Sequence, residues 1–192
     1  LSMGADRKNH GASTFKGAYV TYLFQDLIER GQVPYSSIAS LTDATIGWSS
    51  NEAYMSLYNR FGSAGFRSWL NGVGLGYLAN NPYPRISARE LALLWAKIYS
   101  YENSGASYVG TWRRTFDHSN HSAIQEKLGG SNKVYSKPGW YPKTEGLDSL
   151  NDGAIVKTKN GPYLLAIVSN VNCYSEQWIV NDVVKALHAI HK

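Results

Sequence analysis

Ser13, Thr14, Phe15 and Lys16 place a hydroxyl and an amine three residues apart at the head of an apolar-periodic run. Asn9-His10-Gly11-Ala12 before them reads as a turn. After them Phe15, Ala18, Tyr19, Tyr22, Leu23 and Leu27 share one helical face, and Gly31 closes the run. A helix of that phase puts Ser13 at its N-terminus and Lys16 one turn later on the same side. A serine hydroxyl is a poor nucleophile until a neighbouring base takes its proton, and a lysine amine at this spacing can do that. The free N–H groups of a helix start can also hold a developing oxyanion. Serine and lysine three apart recur in many helical proteins, however. The tetrapeptide alone reads more simply as a helix start with a solvated lysine.

Two further stretches carry the same kind of chemistry. Ser49-Ser50-Asn51 lies between Ile46-Gly47-Trp48 and the helical run that begins at Glu52. Lys137-Pro138-Gly139 lies in the strand-like run from Lys133 to Tyr141. The order and spacing of S-x-x-K, S-x-N and K-x-G resemble the penicillin-recognising serine enzymes: penicillin-binding proteins, D,D-peptidases and class A β-lactamases. The stretches 12–16, 49–62, 86–92 and 150–156 are similar in turn to the nucleophile segment, the S-D-N helix with its closing glycine, the helix after the omega loop, and the strand after K-T-G.

That resemblance implies roles. Ser13 is the expected nucleophile and Lys16 its base. Ser49 relays a proton to the leaving group, while Asn51 holds Lys16 and the substrate amide; as local sequence, Ser49 and Asn51 also read as a helix N-cap pair. Lys137 supplies positive potential near Ser49. Gly139 lets substrate backbone approach the strand, and the N–H groups of Ser13 and Trp140 form the oxyanion hole. No cofactor or metal is implied. The expected ligands are a peptidoglycan D-Ala peptide or a β-lactam, met outside the cytoplasm, in the cell envelope or as a secreted protein. The expected activity is that of a D,D-peptidase/transpeptidase-like or β-lactamase-like hydrolase. A catalytically impaired binding or scaffold domain of the same fold is the alternative, and a glutaminase or esterase on this scaffold is a smaller one.

Three positions depart from the pattern. Pro138 removes the hydroxyl that family members aim at a substrate carboxylate, though a proline is tolerable on an edge strand. Leu150 stands where the cleft arginine is expected, leaving Lys143 or Arg113 as substitutes. The stretch Leu75–Arg85 (LGYLANNPYPR), at the place of the omega loop, holds no acidic residue to activate a deacylating water. Slow deacylation is therefore expected, with Glu90 and then Glu145 the first carboxylates to consider if turnover is fast. Glu90 otherwise reads as helix N-terminal charge.

The elements that must position these residues come from periodicity. Helices are expected near 13–30, 36–47, 52–61, 64–71, 87–102, 105–115, 121–128 and 175–191, and strands near 133–141, 151–159 and 163–171. Lys159-Asn160-Gly161 marks a hairpin turn. The expected fold is α+β, β-lactamase/transpeptidase-like, with a helical part packed on an antiparallel sheet and the last helix covering one sheet face. Residues 1–192 read as one domain, shortened at the N-terminus. The family's first helix and first strand have no counterpart, and Leu1–Met3 reads as the tail of its second strand. A missing segment or a partner chain is expected to complete the sheet. Otherwise Trp178, Val183 and Leu187 should lie beside an open edge.

Composition narrows the alternatives. The 43% apolar content supports a core, and no apolar run is long enough for a transmembrane segment. The net charge of +5 is spread along the chain, which argues against a nucleic-acid surface. The single cysteine, Cys173, excludes an internal disulfide and reads as a small core residue. His118 with His121, and His188 with His191, lack the further ligands of a closed zinc site. The 14 tyrosines and 6 tryptophans suit core packing first, and a sugar- or peptide-binding groove second.

Overall fold

The structure is a computed structural model that describes residues 2–142 and 148–191. A short strand β1 (Asn9–His10) leads through a tight 3-10 turn (Ala12–Thr14) into helix α1 (Phe15–Tyr22), which continues as a wider π-helical stretch over Leu23–Ile28. Then come α2 (Ala39–Gly47), α3 (Asn51–Phe61) and α4 (Ala64–Asn71). Strand β2 (Arg85–Ile86) precedes α5 (Ala88–Glu102), α6 (Val109–Phe116) and α7 (Ala123–Leu128). The chain ends with β3 (Lys133–Tyr141), β4 (Ser149–Thr158), β5 (Gly161–Ile167) and α8 (Gln177–His191).

β3, β4 and β5 form an antiparallel sheet in that order, so β3 is an edge strand and its Pro138 interrupts no inner ladder. β4 and β5 meet at Thr158↔Gly161 across the two-residue turn Lys159-Asn160. One face of the sheet packs on the large core, where Ile155 and Tyr135 join Trp95, Trp112 and Phe116. The other face packs on α7 and α8 through Val134, Val156, Leu165, Val180 and Val184, with Cys173 buried in this cluster. The helical part, the antiparallel sheet and the covering C-terminal helix thus follow the expected arrangement.

Four local expectations are corrected. α1 is not amphipathic: all eight residues are buried, because α1 runs through the middle of the helical part. Ser2 and Met3 are not in a strand. The N-terminal strand is β1, and it pairs with β2, apart from the main sheet. α6 starts four residues later than expected, at Val109, and β5 runs 161–167, two residues earlier at its start and four at its end. On α8, Trp178 is 63% exposed and Val183 40%, while Leu187 is half-buried against the α7–α8 core. Among the described residues no strand pairs with the outer side of β5. No described helix is long and apolar enough to cross a membrane.

Candidate active site

Two glycines let α1 and β3 meet. A Cβ on Gly17 would stand 3.1 Å from Lys137 Cβ. A Cβ on Gly139 would stand 2.7 Å from the Ser13 nitrogen, 2.6 Å from that of Thr14 and 2.8 Å from the Gly11 oxygen. The space that Gly139 leaves is therefore filled by the chain's own turn at Gly11–Thr14. The same contact sets the Ser13 N–H beside the residue that precedes Trp140. The approach to Ser13 is pinned from two sides: Asn151 Nδ2 of β4 donates to the His10 carbonyl (2.8 Å), and the Gly11 N–H donates to the Pro84 carbonyl (3.0 Å).

Ser49 bridges the two lysines. Its carbonyl accepts from Lys16 Nζ at 2.7 Å and its hydroxyl from Lys137 Nζ at 2.8 Å. Lys137 Nζ also donates to the Pro138 carbonyl. Ser49 adopts a left-handed backbone (φ 59°), and so does Ala12 (φ 47°) immediately before Ser13. Such conformations cost non-glycine residues about 1 kcal/mol or more and collect where geometry serves function. Here one immediately precedes Ser13 and the other is Ser49 itself. The helix N-cap that sequence assigned to Ser49 and Asn51 is instead Ser50, whose hydroxyl accepts from the Ala53 N–H at 3.1 Å. Neither Ser49 Oγ nor the Asn51 side chain is occupied by capping.

Asn51 Oδ1 accepts from Lys16 Nζ (2.6 Å) and from Tyr83 Oη (3.2 Å). A carbonyl oxygen has two lone pairs, and both are used, which leaves Nδ2 as the donor. Tyr83 was not legible as a site residue. It comes from the loop at the place of the omega loop, its ring lies edge-on to Tyr54, and both rings flank the Lys16 ammonium at 5.7 and 5.5 Å. Only the proline pair Pro82 and Pro84 around it hinted at a constrained loop.

The electrostatics follow from burial. Lys16 is fully buried with no carboxylate partner among its contacts, and burial lowers its pKa to about 8. Burial pushes Lys137 well below its usual value, the Lys16 charge pushes it further, and Asp152 partly opposes both. Burial raises Asp152 to about 6 against the opposing bonds from the Ile124 N–H and Ser122 Oγ at the start of α7. The site thus holds two amines in close quarters, with reduced affinity for protons at each.

Other expected residues lie elsewhere. Ser13 Oγ makes no hydrogen bond among the described residues, so the expected contact with Lys16 or Ser49 is not formed in this state. Arg113 is tied to Glu102 through a 2.6 Å ion pair and a 3.1 Å bond to its carbonyl, so it is not a cleft cation. Glu90 closes a capping box with Ser87 and pairs with Lys8 at 2.8 Å. Burial pushes Glu90 up, but its bonds from Lys8, Tyr77 and Ser87 outweigh that and hold it below its usual range. It is structural helix charge here. Lys143 and Glu145 lie outside the described residues. Trp140 sits on β3 with its ring 5.1 Å from that of His121. Among the described residues no three His, Cys, Asp or Glu side chains cluster as a metal site.

The fold just described is that of class A β-lactamases. The structure aligns with the last common ancestor of Gram-negative bacteria class A β-lactamase (GNCA4) at TM-score 0.78 and 18% identity, covering 100% of this chain and 88% of that one. It aligns with the β-lactamase of Sphaerobacter thermophilus DSM 20745 at TM-score 0.81 and 14% identity, covering 100% and 86%. An ancestral (GNCA) class A β-lactamase gives 0.77 and 16%, covering 99% and 88%. No curated protein matches. The model of the beta-lactamase enzyme family matches residues 27–189, and the chain belongs to that family. Ser49, Asn51, Lys137, Gly139 and Trp140 fall inside the matched span. Ser13 and Lys16 precede it.

Proposed function

We propose that this protein forms an acyl-enzyme through Ser13 on D-Ala peptides of peptidoglycan or on β-lactams, outside the cytoplasm, and releases the acyl group slowly. The observation that carries the reading is Lys16: a fully buried amine, held by Ser49 O and Asn51 Oδ1, with a proton affinity low enough to serve as a base near neutral pH. In acylation Ser13 Oγ turns toward Lys16, gives it a proton and bonds to the substrate carbonyl carbon. The oxyanion is held by the N–H groups of Ser13 and Trp140. The C–N bond then breaks, and the leaving nitrogen takes a proton through Ser49, which Lys137 orients and polarises.

Deacylation needs a second proton acceptor for water. Leu75–Arg85 offers no carboxylate, and the side chain that it sends to Lys16 is the phenol of Tyr83. General-base help is typically worth about 10²–10⁴ in rate, so an acyl group on Ser13 outlasts the acylation step. A fluorescent penicillin tests the reading: a stable band that Ser13→Ala loses supports it. Fast turnover of the β-lactam points to a hydrolytic β-lactamase with another base.

A second reading is a binding or scaffold domain of the same fold. It is favoured by the unbonded Ser13 hydroxyl and by Pro138, which lacks the hydroxyl for a carboxylate. Absence of both labelling and turnover would support it.

A further inference from the structure

A cleft of about 520 Å³ opens between α2 and α6, outside the lysine-lined site. Its size lies within the range of small-molecule sites, about 300–1,000 Å³. Trp48 lines it and is 77% exposed, whereas Trp69, Trp95 and Trp112 are buried. Trp48 directly precedes Ser49, so the cleft adjoins the acyl site along the chain itself. Asp43 on α2 and Arg114 on α6 line the cleft too. Each is steadied by one threonine hydroxyl on α6: Asp43 Oδ1 accepts from Thr115 (2.8 Å), and Arg114 Nη2 donates to Thr111 (2.9 Å). Among the described residues neither makes an ion pair. Asn120 completes the polar wall, its backbone fixed by a 3.0 Å bond to the Gly47 carbonyl.

We propose that this cleft binds a neutral pyranose ring, with the ring's C–H face on the Trp48 indole and its hydroxyls between Asp43, Arg114 and Asn120. The chemistry of the lining selects that class. An exposed indole offers a flat apolar face with a polar edge. The Asp43 carboxylate and the Arg114 guanidinium, each held by a threonine but not ion-paired among the described residues, supply acceptors and donors on different helices, and their opposite charges disfavour a ligand of either net sign. A hydroxylated ring has one apolar face and a rim of groups that both donate and accept, which matches the three features together. That the ring belongs to the same substrate that Ser13 acylates rests on the function proposed above; the binding itself does not.

The test is a titration of isotope-labelled protein with chitotriose, a neutral chain of N-acetylated pyranoses, followed by nuclear magnetic resonance. Saturable shifts at the Trp48 indole and along α2 and α6 are expected. Trp48→Ala and Arg114→Gln should each weaken binding by about tenfold or more, and both are checked by their unfolding midpoints. Absence of saturable shifts, binding undiminished in both variants, or occupation of the cleft by D-alanyl-D-alanine but not by the sugar would overturn the proposal. Penicillin labelling of the same sample separates the two claims. Sugar binding without labelling keeps the cleft and removes the acyl-transfer role, while labelling without sugar binding does the reverse.

Discussion

At the scale of single residues, the account turns on how two lysines share one serine. Lys16 reaches the Ser49 carbonyl and Lys137 its hydroxyl, and the left-handed backbone of Ser49 presents both. With Lys16 lowered to about 8, the acylation rate should rise with pH and level off above about 8, as stopped-flow labelling across pH 6–10 would read. An acylation rate flat over that range would remove Lys16 as the base. The same shift acts on stability. The folded pKa lies below the ordinary 10.5, so the unfolded chain binds the extra proton between the two values. The penalty is full below about 8 and relieved as pH rises toward 10.5. Relative to Lys16→Met, the native protein should therefore gain stability over that window, by roughly 3 kcal/mol at most, in denaturant titrations at both ends. Tyr83→Phe removes one of the two bonds to Asn51 Oδ1. A loss of about 1 kcal/mol in unfolding free energy and a several-fold slower acylation are expected, measured by urea titration and by labelling kinetics.

At the scale of elements, the motifs were legible because each is local: a serine and a lysine one turn apart, a serine and an asparagine before a helix, a lysine and a glycine in one strand-like run. What they miss is tertiary. β1 and β2 are two residues each and leave no periodicity to read. Three consecutive polar residues, Ser49-Ser50-Asn51, all suit an N-cap, and only the backbone path selects Ser50. Tyr83 lies in an irregular loop whose route is set by packing on Tyr54. The role of Gly139 is likewise visible only where β3 meets the Ser13 turn. Gly139→Ala should push that turn away, costing about 1–3 kcal/mol and most of the acylation rate; labelling at the native rate would show that the contact does not position Ser13. The capping box of α5 makes an opposite prediction. Glu90→Gln should lower stability by about 1 kcal/mol through loss of the Lys8 pair and a weaker cap, and leave the lifetime of the acyl group unchanged. A longer lifetime in this variant would make Glu90 a deacylation base after all.

At the scale of the whole molecule, the sheet is narrow and its two faces are served unequally. The core beneath β3–β5 is dense with aromatic rings, whereas α8 keeps Trp178 and Ile190 exposed and β5 presents an unpaired outer side among the described residues. The matched class A structures are longer, and 12–14% of each has no counterpart in this chain. The residues of the site come from the Ser13 turn, α1, the Ser49 turn, α3 and β3, which meet on the side of the sheet away from β5. The proposed acylation would use these residues, and the loop that faces Lys16, Leu75–Arg85, carries no carboxylate. The most direct measurement is the intact mass of the protein through a time course after a short penicillin exposure. The account predicts a single added acyl group, absent in Ser13→Ala, that persists long after free penicillin is removed. An adduct that disappears as fast as it forms, or one retained in Ser13→Ala, would contradict it.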